Sequence, residues 1–67
     1  PADDYCTIRN SSSSEIHFTL LDVTGRILAE GNFMHEKTLS LKNFPHGVYE
    51  LLIMDGKNLV AKKFPSP

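Results

Sequence analysis

The sequence predicts a small all-β domain, an antiparallel β-sandwich of about six strands, and three observations carry that prediction. Apolar residues recur at every second position along most of the chain, the repeat of a pleated strand with one buried face. Clusters of Gly, Pro, Asn, Asp and Ser interrupt these runs at spacings of roughly 8–12 residues, as in sandwiches and barrels. No segment places apolar residues at the three- and four-residue spacing of an amphipathic helix.

The first strand covers Tyr5 to Arg9, with Cys6 and Ile8 on one face and Tyr5, Thr7 and Arg9 on the other. Asn10-Ser11-Ser12-Ser13-Ser14 follows as a loop, because Ser and Asn side chains compete for nearby backbone groups and favour turns. In the second strand Ile16, Phe18 and Leu20 share one face and His17, Thr19 and Leu21 the other. Asp22-Val23-Thr24-Gly25 makes a turn in which the Asp22 carboxylate accepts from turn N–H groups and Gly25 supplies a positive φ. A short third strand runs from Arg26 through Ile27 to Gly31, with Ile27 inward. Asn32 to Glu36 shows no clear period, and Phe33 and Met34 cap the core from a loop or begin a further strand.

Alternation returns from Lys37 to Lys42, with Leu39 and Leu41 inward. Asn43-Phe44-Pro45-His46-Gly47 is a turn, with Phe44 plugging the end of the core and Gly47 relieving the backbone. The fifth strand, Val48 to Met54, sets Tyr49, Leu51 and Ile53 on one face, yet its other face carries Val48, Leu52 and Met54 around a single Glu50. A strand apolar on both faces is either central in its sheet or covered by a partner. Asp55-Gly56 signals a hairpin of type I′. The last strand runs from Asn58 to Phe64, stopped by Pro65. The inward set is therefore Cys6, Ile8, Ile16, Phe18, Leu20, Ile27, Leu39, Leu41, Phe44, Tyr49, Leu51, Ile53 and Phe64.

Size and charge narrow the function classes. Sixty-seven residues make one domain, near the lower limit at which a single core offsets chain entropy. Seven Lys and Arg against eight Asp and Glu leave no basic footprint for nucleic acid. The longest apolar run, Leu51-Leu52-Ile53-Met54, is far below the ~18 residues of a membrane span. A lone cysteine, Cys6, forms no internal disulfide and reads as a small core hydrophobe. The chain begins at Pro1 without a methionine or signal segment, as expected of a piece of a longer protein.

Chemistry-bearing patterns are missing. His17, His35 and His46 are separated by 18 and 11 residues, which matches no metal-ligand spacing, so no metal is expected. Asp3 and Asp4 are strand neighbours pointing apart and form a polar lead-in rather than a catalytic pair. The four glycines are scattered, and none belongs to a phosphate loop. No cofactor and no catalytic residue is expected. Lys57, Lys62 and Lys63 cluster without an acid near the end of the chain, which protects an edge strand or docks a partner.

The segments taken together resemble the C-terminal sorting domains of the Bacteroidetes type IX secretion system. Pro1-Ala2-Asp3-Asp4-Tyr5-Cys6-Thr7-Ile8 is similar to the opening of that family. Phe18-Thr19-Leu20-Leu21-Asp22-Val23-Thr24-Gly25-Arg26-Ile27-Leu28 resembles its strand–Asp–turn–Gly–basic–strand segment. Leu39-Ser40-Leu41 and Phe44-Pro45-His46-Gly47-Val48-Tyr49 resemble its Gly-x-Tyr signature, and Lys62-Lys63-Phe64 its basic-then-apolar final strand. Pro65-Ser66-Pro67 departs from the pattern, since the family ends soon after its last strand.

The resemblance implies an Ig-like sandwich of about seven strands and a cargo tag without catalysis. It implies a passenger N-terminal in the same chain, transit through the periplasm, recognition by an outer-membrane translocon, trimming by a sortase-like peptidase, and delivery to the cell surface or exterior without membrane insertion. The residues carried over by position are Asp22, Gly25, Arg26, Gly47, Tyr49, Lys63 and Phe64, and Lys62 is expected beside them on the lysine-bearing last strand. Leu52 and Met54 join them because their apolarity has no other account. The competing expectation is a passive Ig-like or fibronectin-like accessory module that binds carbohydrate or acts as a spacer.

Overall fold

The computed structural model describes residues 5–10 and 14–66. The expected acidic lead-in at Asp3 and Asp4, most of the serine run and the final Pro67 lie outside them. Every regular element among the described residues is a strand: β1 (Tyr5–Arg9), β2 (Ile16–Leu21), β3 (Ile27–Phe33), β4 (Glu36–Ser40), β5 (Gly47–Asp55) and β6 (Asn58–Ser66). They form two antiparallel sheets, β1-β4 and β3-β2-β5-β6, as a small sandwich requires.

The core lies between the sheets. Ile8 of β1, with Leu39 and Leu41 at the end of β4, meets Ile16, Phe18, Leu20, Phe33, Tyr49 and Leu51 of the larger sheet. Leu20 is completely buried at its centre. A two-stranded sheet is not stable alone, so β1-β4 is held by the apolar side chains it lays on the larger sheet. Asn10 ties the two layers at one end, its side-chain amide donating to the carbonyls of Ser14 and Met34 at 2.8 and 2.9 Å.

The expected inward residues take their places with one exception. Ile27 is 54% exposed, because the pairing of β2 with β3 shifts between Leu20 and Leu21. Leu20 faces Ala29 and Leu21 faces Ile27, so Leu28 is the extra residue of a bulge. The bulge reverses the phase of the strand: Leu28 packs on the core and Ile27 is turned outward. Phe33, left between loop and strand by its irregular surroundings, closes β3 as a buried core residue against Phe18, ring centroids 6.1 Å apart. Gly31 lies opposite Phe18 in the ladder, and the Phe18 ring covers the space its side chain lacks.

Two turns also differ from expectation. The hairpin between β5 and β6 has Gly56 and Lys57 as its central residues, and only Gly56 (φ 61°) is left-handed. That is the pattern of a type II′ rather than a type I′ turn. Gly47 has no positive φ, and a Cβ there would meet nothing within 4 Å, so backbone relief is not the reason for glycine at this position.

Pro65 does not stop the last strand, which runs to Ser66 with Val48 opposite Pro65. β6 is the edge of its sheet. Counting from Asp55↔Asn58, the hydrogen-bonded pair that closes a two-residue hairpin, Val48↔Pro65 falls on a non-bonded position. The nitrogen of Pro65 therefore points away from β5, and no ladder bond is lost.

Candidate functional site

The sequence-derived recognition residues fall into three regions. The first is the turn between β2 and β3. One carboxylate oxygen of Asp22, Oδ1, accepts from Thr24 Oγ1 at 2.6 Å, Thr24 N at 2.9 Å and Arg26 N at 3.0 Å. Gly25 N donates to the Asp22 carbonyl at 3.0 Å, and Asp22 N to the Arg26 carbonyl at the same distance. Gly25 sits at φ 89°, a conformation that disfavours any side chain. The hydrogen bond from the Thr24 hydroxyl, reinforced by the backbone donors and by Arg26 Nε at 3.4 Å from Oδ2, holds the Asp22 carboxyl below its ordinary range. The Asp22–Gly25–Arg26 trio is thus a rigid turn whose donors and acceptors satisfy one another.

This turn borders a shallow depression of about 150 Å³. Asp22, Val23 and Gly25 form one wall; Val48, Tyr49, Glu50 and Lys63 form the other. Four of the recognition residues therefore meet at one end of the larger sheet, although the turn after β2 and the strands β5 and β6 contribute to it from distant parts of the sequence. Tyr49 itself is buried, stacked between Phe44 and Phe64 at centroid separations of 6.1 and 6.2 Å. Its hydroxyl donates to the carbonyl of Pro45, locking the turn that leads into β5.

The second region is the outer face of β5 and β6. β5 is central, between β2 and β6, which accounts for part of its two-sided apolarity. It does not account for Met54, which is 44% exposed, or for Val48 at 47%. Register sets Met54 opposite Leu59 (58% exposed) and Leu52 opposite Ala61, so the four make one apolar strip across two strands. Lys63, opposite Glu50, continues the same face toward the Asp22 turn. Leu59 and Val48 were not among the expected recognition residues. The signal for Leu59 was present in the two-residue hairpin, which pairs it with Met54.

Lys62 and Phe64 belong to the third region, the inner side of β6. Alternation along the strand turns them toward the first sheet, opposite Leu51 and Tyr49, while Lys63 faces outward. Phe64 is half-buried against Tyr49, whereas Lys62 is exposed. Cys6 is only half-buried; burial pushes its thiol up and the nearby Lys62 charge works against that shift. The three expected non-ligand histidines are all exposed. His17 lies on the outer face of β2, with Nδ1 2.8 Å from Asn32 Oδ1 and Nε2 3.6 Å from Glu30. No group of three or more His, Cys, Asp and Glu stands together among the described residues.

Comparison with known families gives a match over nearly the whole chain. The model of a family described as the secretion system C-terminal sorting domain covers residues 1–65. No curated protein matched the chain.

Proposed function

The chain belongs to the C-terminal sorting domains of the type IX secretion system, and on that premise we propose which of its surfaces is read and by what. The family is the signal that directs an exported protein through this machinery to the cell surface or exterior, and it is not a catalytic family. The domain therefore acts by binding.

In our reading the outer-membrane translocon docks on the outer face of β5 and β6. A passenger lies N-terminal in the same polypeptide and reaches the translocon through the periplasm, and a sortase-like peptidase removes the tag afterwards. The observation that carries the docking face is the strip Leu52, Met54, Leu59 and Ala61, apolar and partly exposed on a sheet whose core lies on its other side. Contiguous exposed apolar surface rimmed by charge is characteristic of protein interfaces. Lys63 supplies the charge beside it.

The turn residues act at one remove. Asp22, Gly25 and Arg26 satisfy one another's polar groups, and Tyr49 is inside the core, so these residues shape the end of the docking face. Gly47 is the exception. It is exposed, needs no left-handed backbone and has open space around it, which suits a point where a partner approaches the main chain closely.

The test is export of a reporter fused to residues 1–67 in a type IX host, with Leu52→Asp, Met54→Asp and Lys63→Glu compared with Lys37→Glu on the opposite sheet. Folding of each variant is checked by circular dichroism. Loss of export in the first three with retention in the fourth supports the assignment. Normal export of folded Leu52→Asp and Lys63→Glu variants refutes it.

A further inference from the structure

A groove of about 460 Å³ opens between the two sheets on the side away from the proposed docking face. All five residues of β1, Tyr5 to Arg9, line it. Side chains of a strand alternate between its faces, so five consecutive residues border one cavity only if the cavity follows the backbone edge. Among the described strands β1 pairs with β4 alone, and its other edge faces this groove. Across the groove stand Leu51, Ile53, Lys62 and Phe64 from the inner side of β5 and β6.

The free edges of this molecule are not equally protected. β6 carries Pro65 and the lysines, and β4 carries adjacent Glu36 and Lys37. β3 has Glu30, a bulge at Leu28 and a glycine. Proline, charge and bulges are devices that discourage a strand from pairing further. β1 has none of them before its last residue, Arg9. The groove also has a sign. Among the described residues its lining includes Arg9 and Lys62 and no acidic residue. Arg9 is matched by Glu36 at 3.6 Å, but Lys62 has no ion pair among the described residues. It is a cation at an inward position of its strand, between partners of the apolar Tyr49 and Ile53 pairs.

We infer that the open edge of β1 is a strand-addition site for an extended segment of another protein, one with apolar side chains toward the groove and a carboxylate against Lys62. Main-chain hydrogen bonds to β1 supply the affinity, and alternate side chains entering the groove supply the selectivity. Pairing extends the two-stranded sheet to three strands, the number at which a sheet with a hydrophobic face becomes stable. A second copy of the chain docked through β1 is not the occupant, because β1 brings another arginine and no acid to Lys62. The inference does not depend on the outer-face assignment, which concerns the opposite side of the larger sheet.

Short synthetic peptides alternating valine and threonine, with a central glutamate or a lysine in its place, test this on the 67-residue chain by fluorescence anisotropy at low salt. The glutamate peptide is expected to bind at least about tenfold tighter than the lysine peptide, with the preference falling as salt screens the pair and reversing in Lys62→Glu. Lys62→Met, which keeps the side-chain bulk, removes the preference without reversing it. Peptides N-methylated on alternate amides discriminate strand pairing from adhesion: one series loses binding and the other retains it. Hydrogen exchange then slows at alternate β1 amides. Three results overturn the inference: no saturable binding by any peptide at millimolar concentration, equal binding of both methylated series, or a chain dimer through β1 that the glutamate peptide does not displace.

Discussion

Replacing Tyr49 separates what this residue does for the fold from what it does for recognition. Its ring is 3% exposed and sits between Phe44 and Phe64, while its hydroxyl donates to the Pro45 carbonyl. Truncation of a buried aromatic to alanine costs about 3–5 kcal/mol. At about 0.05–0.15 kcal/mol per residue, a chain of this length has roughly 3–10 kcal/mol in total, so Tyr49→Ala removes about 30% or more of its stability. Tyr49→Phe keeps the ring and loses one hydrogen bond, worth about 1 kcal/mol. Pro45 is exposed, and water replaces the lost donor, which keeps the cost near that figure. For a domain of this size the phenylalanine variant should melt about 4–8 °C lower. Urea denaturation followed by circular dichroism measures both variants, and reporter export is scored in parallel. Tyr49→Phe is expected to export normally. A folded Tyr49→Phe variant that fails to export would show that the partner reads the hydroxyl, and a Tyr49→Ala variant destabilised by less than about 1 kcal/mol would refute the packing argument.

Other positions give equally direct expectations. Gly31→Ala places a Cβ 3.3 Å from Phe18 Cε1, and because Phe18 is held by Phe33 the ring has little room to yield; overpacking of this kind costs about 1–3 kcal/mol, read as a lower denaturation midpoint. The lowered pKa of Asp22 means its carboxylate stabilises the fold fully above the unfolded-state value of about 3.9, a contribution lost as pH falls through the folded-state value. Acid titration should therefore show Asp22→Ala and the parent chain differing at neutral pH and converging below that window. Gly56→Ala forces a side chain into a left-handed turn at a cost of about 1–2 kcal/mol, whereas Gly47→Ala should change stability by less than about 0.5 kcal/mol and, if a partner approaches its backbone, reduce export alone.

Much of this fold was legible because Ile16, Phe18 and Leu20 in β2, like Leu39 and Leu41 later in the chain, recur at every second position, and that spacing fixes which residues enter the core. Ile27 was misassigned for a reason that local sequence does not carry: the extra residue Leu28 is accommodated only when β3 pairs with β2, and the bulge then reverses the strand's phase. Pro65 was read as a stop because proline removes a donor, yet an edge strand has donors to spare on its open side, and edge status is a property of the whole sheet. The Asp22 turn was readable since its hydrogen bonds join residues two and four apart. That it would share a depression with Val48, Glu50 and Lys63 was not, because the pairing order β3-β2-β5-β6 brings those segments together. The same register splits Lys62 from Lys63, neighbours in sequence that serve opposite faces.

The most direct measurement is photocrosslinking during export, with a photoreactive residue introduced singly at Met54, at Leu59 and, on the smaller sheet, at Lys37. The account predicts adducts between the first two positions and an outer-membrane component of the secretion machinery, and none from the third. Adducts formed from Lys37 while Met54 and Leu59 remain unreacted would contradict it.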